Sequence, residues 1–210
     1  MKIGVYQVYF DAQSKAGLQP GFIPYGNFRY DQLFENAVIL DLYRQKKPHK
    51  FDLTGVVSWR FFDKTGITYE QLCRECSIDL SVEAYNFSPH SYCHESHPYS
   101  RKRCPQVIEL ARLIDERGVL PFKLERYDTE GLQVWCNYWV SNVNIFSNYV
   151  ENYLIPLVKL ISNPDKELAE CLNRPIQHRD NGVNYTVVPF FLEGLFSVFA
   201  HREQIKIKSI

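Results

Sequence analysis

The sequence predicts an α/β fold, an open sheet whose strands are joined by helices within one domain. Two observations point to it. Short apolar or β-branched runs alternate along the chain with segments whose apolar residues recur at helical spacing. The first run, Lys2 to Phe10, is nearly continuously apolar, which suits a central strand buried on both faces. A chain of 210 residues is long enough for one substantial core, or a core with a small appended lobe, and residues 1–210 are read as one domain.

The first strand delivers Gln7, Tyr9 and Asp11 to its carboxyl end, polar groups suited to a base or ribose edge; Tyr9 has ordinary aromatic packing as its alternative. Asp11 to Arg29 holds Gly17, Pro20, Gly21, Pro24 and Gly26, which predicts a long loop with little regular structure. Tyr30 to Gln45 follows as a helix, with Leu33, Phe34, Ala37, Val38, Leu40 and Leu42 on one face and Pro48 just beyond its end. Thr54 to Trp59 is the second strand, Arg60 to Gly66 a polar loop, Ile67 to Cys76 a helix that Thr68 can cap, and Leu80 to Phe87 a third strand.

In an open α/β sheet, ligands bind beyond the carboxyl ends of the strands, where helix N-termini and free backbone N–H groups gather. Ser58 to Gly66 lies at such an end, and Arg60 and Lys64 are suited to an anionic group there. The competing view is a solvated strand-to-helix connection. Ser88 to Cys104 is a second polar loop at a carboxyl end, with His90, His94 and His97.

Pro105 to Arg117 is an amphipathic helix, bounded by Pro105 in its first turn and Gly118 past its end. Leu132 to Val140 has strand composition, with Trp135, Tyr138 and Trp139 around Asn137. Phe146 to Ile161 reads as a helix broken or kinked at Pro156, and Asp165 to Leu172 as a shorter one. Asn173 to Asn184 is a polar loop containing His178. Tyr185 to Phe199 closes the chain as an almost wholly apolar helix, in which the Glu193 carboxylate must find a partner or shift its pKa.

Composition excludes several classes. Lys plus Arg and Asp plus Glu balance at 24 each, so no basic field points to nucleic acid. No apolar run approaches the roughly 20 residues that cross a bilayer, and the first residues enter a strand pattern directly, so a cytoplasmic protein without a membrane span is expected. Cys73 and Cys76 form a C-x-x-C that, with Cys93, His94 and His97, has zinc-ligand chemistry. The same two cysteines fall on the apolar face of the predicted helix, where a thiol packs as a small hydrophobe. Neither G-x-x-x-x-G-K-S/T nor G-x-G-x-x-G nor G-x-S-x-G occurs, so a bound nucleotide would be held by side chains and scattered backbone groups.

Four separated runs, YQVYF with PGFIPYGN, SWRFFDKTG, CNYWV and VPFFLEGLFSVF, together resemble a group of small glycosyltransferases found in bacterial polysaccharide loci and in large algal viruses. The viral side is the closer: the chain is similar to the N-terminal glycosyltransferase domain of a chlorella-virus protein of capsid-glycan synthesis. The resemblance implies a GT-A-like fold with a mixed central sheet flanked by helices, a UDP-sugar donor, a divalent cation (Mn²⁺ or Mg²⁺), a glycan or glycoprotein acceptor, and a monomer in the host cytoplasm. It puts Gln7, Tyr9, Ser58, Trp59, Arg60, Asp63 and Lys64 in the donor-binding runs, with Asn137, Tyr138 and Glu193 as catalytic candidates. Gly194 stands where the pattern has an arginine. GT-A enzymes usually hold their metal through Asp-x-Asp, which this sequence lacks; Asp79, His90 and His178 are the candidate ligands, with Asp128 and Glu130 as further carboxylates. If its strand runs parallel to the first two, Asp79 lies at the amino end, away from the ligand. The alternative function is a noncatalytic carbohydrate-binding or scaffold module, which the Tyr and Trp content would serve.

Overall fold

Neighbouring residues of the first strand, β1 (Ile3–Tyr9), enter two different cores. Val5 faces one and Tyr6 and Val8 the other, all of them buried. This is why the run reads as continuously apolar instead of alternating. The computed structural model describes residues 1–28, 33–79, 81–89, 105–124, 134, 136–177 and 184–210, and it is α/β, with a mixed sheet of six strands flanked by helices.

Strand β1 pairs in parallel with β2 (Ile23–Gly26) on one side and with β3 (Leu53–Ser58) on the other. Beyond β3 lie β4 (Ala84–Asn86) and β5 (Trp139–Ser141), in the sheet order β2-β1-β3-β5-β4-β8, where β8 is Ile207–Ser209. Strand β5 is antiparallel to both β3 and β4, so β1, β2, β3, β4 and β8 all point the same way. Gly55 permits the close approach of β5, since a Cβ there would lie 2.5 Å from the Trp139 carbonyl oxygen.

One face of the sheet is covered by α2 (Glu35–Arg44), α5 (Pro105–Glu116), α6 (Val143–Tyr149) and α9 (Val187–Arg202). The other is covered by α4 (Tyr69–Ile78) through Leu72 and Cys76, with Phe61 beside them. Thr68 caps α4 as expected, its hydroxyl accepting the Gln71 N–H at 3.3 Å while the Gln71 side chain accepts the Thr68 N–H at 2.8 Å, a reciprocal capping box. Burial pushes the Cys76 thiol up to about 12, so the thiol is protonated packing, the alternative weighed for the C-x-x-C. Cys93, His94 and His97 lie outside the described residues.

The helix expected to kink or break at Pro156 stays helical through it, and its interruption is a π turn just before the proline. Helix α6 passes through a π turn, Val150–Leu154, into α7 (Ile155–Ser162), whose first turn holds the proline. The shorter helix is α8 (Lys166–Leu172), with Asp165 accepting the Leu168 N–H at its N-terminus.

Several expectations are corrected. The loop from Asp11 to Arg29 contains α1 (Ala12–Ala16) and β2. Asp11 and Ser14 make a capping box that nucleates α1, and β2 is stabilised by its parallel pairing with β1, which local composition does not show. The polar loop after β3 holds α3 (Phe61–Thr65), closed by Gly66 at φ 69°. Within the run Leu132 to Val140, expected as a strand, the described residues Cys136 and Asn137 take left-handed backbone at φ 58° and 57°, and β5 begins only at Trp139. Asn173 to Asn184 contributes a short antiparallel pair, β6 (Ile176–Gln177) with β7 (Asn184–Tyr185), and β8 went unforeseen at the sheet edge. Among the described residues no helix is long and apolar enough to cross a membrane.

Candidate functional site

Because β1 and β3 are parallel neighbours, their carboxyl ends open side by side. Val8 of β1 with Phe10 just past it, and Ser58 of β3 with Trp59 and Arg60 just past it, line a cleft of about 370 Å³, within the range of small-molecule sites. Helix α3 adds Lys64, and the start of α2 adds Glu35 and Asn36. Asn137 lies just before β5. The first turns of α9 supply Pro189, Phe190 and Glu193, spaced three and four residues apart and so on one helical face.

The cleft gathers Ser58, Trp59, Arg60, Lys64, Asn137 and Glu193 from the site residues read in the sequence. Tyr138 stands behind them. It is buried, and its hydroxyl shares a hydrogen bond of 2.5 Å with the Ser58 hydroxyl, so it orients Ser58 from beneath. Burial pushes the Tyr138 phenol far above its ordinary value, with the neighbouring Cys136, Glu35 and Glu193 adding to the rise. Lys64 Nζ lies 5.7 Å from the Tyr138 ring centre and donates to Cys136 Sγ at 3.6 Å.

Gln7 is placed differently from the sequence expectation. It is fully buried, its amide donates to the carbonyls of Ser58 (3.4 Å) and Trp59 (3.3 Å), and its Oε1 accepts the Gln19 N–H at 2.8 Å. Those bonds commit it to holding the strand ends in register, and it does not line the cleft. Tyr9 packs edge-on against Phe28 at 5.8 Å and beneath Lys15, also off the cleft wall. Asp63 is exposed on α3 and outside the lining.

Asp79 ends α4, and its carboxylate accepts from Ser81, which holds its pKa below the ordinary carboxylate value. Since β4 runs parallel to β1 and β3, Asp79 sits at the amino edge of the sheet, opposite the cleft. His90 and His178, like Asp128 and Glu130, lie outside the described residues. Among the described residues no group of three or more His, Cys, Asp or Glu side chains could hold a metal ion.

Sequence inspection missed Glu35 and Asn36. Glu35 is half-buried at the first turn of α2. Desolvation raises its pKa, against which its own backbone N–H and the Lys64 charge act. Cys136 is pushed up to about 12 by burial, with Glu193 and Glu35 adding to the rise and Lys64 opposing it. The lysine and both carboxylates therefore share one neighbourhood. Asn36 is 1% exposed and its Oδ1 has no hydrogen-bond partner among the described residues; Asn137, 2% exposed, is in the same state. A signal was present, since Asn36 shares a helical face with the buried Ile39 and Leu40 and so breaks an apolar stripe.

No protein-family model matches the chain, and no curated protein matches it. A solved structure that it is similar to is the apo form of WbbM, a bifunctional glycosyltransferase, at a TM-score of 0.46 and 13% identity. The match takes in the whole of this chain and spans 44% of that one. The likeness is too distant to carry a residue role.

Proposed function

We propose that the chain is a glycosyltransferase that moves a sugar from a UDP-sugar donor to a hydroxyl of a glycan or glycoprotein acceptor. The support is convergence: residues from three runs far apart in sequence, Ser58 to Lys64, Asn137 and Glu193, line one cleft at the carboxyl ends of parallel strands. That is the end of an α/β sheet at which ligands bind.

In this proposal Arg60 and Lys64 meet the diphosphate and stabilise the charge that grows on the departing UDP. Trp59, with the Arg60 guanidinium 6.0 Å from its ring centre, flanks the nucleotide. Asn137 orients the sugar so that the acceptor hydroxyl faces its anomeric carbon, and Glu193 takes the proton of that hydroxyl. Tyr138 and Gln7 act indirectly, by fixing Ser58 and the β3 end. A divalent cation, when bound, would neutralise the diphosphate. With Glu193 assigned to the acceptor proton, the carboxylate that the cleft lining leaves for it is Glu35.

Calorimetry with UDP in the presence of Mn²⁺ tests the proposal, and saturable binding of UDP is the expected result. Silence toward UDP, GDP and CMP alike would remove it. Binding of free glycan with no response to nucleotide would instead favour a noncatalytic carbohydrate-binding module.

A further inference from the structure

The two walls of the cleft come from opposite faces of the sheet. Lys64 belongs to α3, whose Phe61 packs into the core on one face, whereas Leu33 and Phe190 pack against the core on the other, with α2 and α9. The first wall carries the cations Arg60 and Lys64; the second is aromatic, made by Phe34, Tyr185 and Phe190. Phe34 and Tyr185 have ring centres 6.0 Å apart with planes at 54°, and Tyr185 meets Phe190 edge-on at 6.2 Å and 88°. Rings set at such angles leave no parallel slot for a flat base. They form a corner, which fits a puckered ring whose C–H groups point in several directions toward electron-rich aromatic faces. Phe190 stands three residues before Glu193 on the same helical face, so the carboxylate lies beside this wall.

Phe34 is 38% exposed and is held at φ 48° and ψ −124°, a backbone conformation in which a bulky side chain is strained. The strain is braced from the strand end. The Asn27 N–H donates to the Tyr9 carbonyl at 2.7 Å, and the Asn27 side-chain amide donates to the Phe34 carbonyl at 3.1 Å. An exposed ring contributes little to packing, so strain kept at this position points to a contact that the ring makes within the cleft.

We propose that Phe34, Tyr185 and Phe190 are the acceptor subsite of the cleft, their rings receiving the C–H face of a neutral pyranose so that one of its hydroxyls is held toward Glu193. This rests on the transfer reaction proposed above and adds the acceptor's chemical class, an uncharged saccharide. An acidic sugar would bring its carboxylate beside Glu193 and be repelled. The nucleotide stays with Trp59, Arg60 and Lys64 on the other wall.

The test combines saturation-transfer NMR, with methyl glycosides of neutral hexoses, pentoses and 6-deoxyhexoses in the presence of UDP and Mn²⁺, and calorimetry of UDP. The proteins are wild type, Phe34→Gly and Phe34→Tyr. At least one glycoside should bind wild type, with its ring C–H signals the strongest. Phe34→Gly should weaken that binding by about tenfold or more and change UDP affinity by less than about twofold. It should also melt at or above the wild-type temperature, because glycine takes a positive φ without strain. Phe34→Tyr keeps the ring and should bind the glycoside within about twofold of wild type.

Glycoside binding that survives in Phe34→Gly overturns the subsite, as does an equal loss of UDP affinity, which would make the wall part of the nucleotide site. A wild type that binds UDP and no glycoside of the panel also overturns it and leaves donor binding standing. Silence toward UDP and every glycoside overturns both. Glycoside binding lost in Phe34→Gly, in a protein silent toward UDP, keeps the wall as a saccharide site and removes the transfer reaction. Should Phe34→Gly fail to fold, Phe34→Leu, which removes the ring and keeps an apolar side chain, decides by the same measurements.

Discussion

The interior around Trp139 and the cleft around Asn137 are two residues apart in sequence, and both contain buried polar atoms that lack partners among the described residues, yet they differ in what offsets the cost. Trp139 stacks on Phe196 with ring centres 4.0 Å apart and planes 9° from parallel, and Tyr149 meets Trp139 edge-on at 5.4 Å. The unbonded atoms there are Trp139 Nε1 and the Tyr149 hydroxyl. Burying an aromatic side chain of this size is worth about 4–6 kcal/mol, more than the roughly 1–3 kcal/mol lost by leaving one polar atom unbonded. In the core the ring outweighs the atom. Asn36 and Asn137 have no ring, so the same omission is less fully offset there.

That contrast can be broken at either end. Trp139→Ala should have the largest effect, a loss of about 3–5 kcal/mol in denaturant-derived stability, because the cavity opens beneath the stacked Phe196 ring. A loss below about 1 kcal/mol would mean that the stack is replaceable and that the core is no reference for the cleft. Glu193→Gln should lower sugar transfer by about 10²–10³-fold if it is the base, with UDP affinity nearly unchanged. Equal loss of binding and turnover would instead make Glu193 part of the framework.

Lys64→Ala should weaken UDP binding by about 1.5–3 kcal/mol, the range for hydrogen bonds to charged groups, as read by calorimetry. Unchanged affinity would reduce α3 to a connector. Glu35→Gln sharpens the electrostatic side. The folded pKa of Glu35 is raised, mainly by desolvation, so its contribution to stability is fully present below the unfolded pKa and is lost as pH rises through the folded one. The variant should flatten that part of a stability profile measured from about pH 4 upward, and a profile identical to wild type would show that Glu35 titrates as an ordinary surface carboxylate. Tyr149→Phe should be smallest, within about 1 kcal/mol of wild type in stability and with no change in nucleotide affinity. A change in affinity would mean that the core and the cleft are coupled.

The residues lining the cleft were legible in unequal measure. Lys64, Arg60 and Ser58 stood out because two cations directly after a β-branched strand form a pattern within nine residues, and Glu193 because it interrupts an apolar helix. Glu35 and Asn36 were hidden inside a segment expected to begin at Tyr30, whereas the helix begins at Glu35. Local pattern places a helix well and its first turn poorly. Gln7 was misjudged because a polar residue at a strand end has the same local signature whether it faces a ligand or bonds the neighbouring strand. Its three bonds to Ser58, Trp59 and Gln19 depend on pairing across distances of twelve to fifty-two residues.

Sequence alone determined the α/β class, the helices α4 and α5 with their Thr68 and Pro105 boundaries, an interruption of the helical ladder near Pro156 and the place of the run from Ser58 to Gly66 at the carboxyl end of a strand. Each of these is written in residues near one another, through side-chain period, capping and backbone restriction. Tertiary structure decided the antiparallel insertion of β5, the edge position of β8, the remoteness of Asp79 and the gathering of Asn36, Asn137 and Glu193 at one cleft. Those depend on which strands pair and in which direction, a choice made by burial summed over the whole sheet, and no local window contains it.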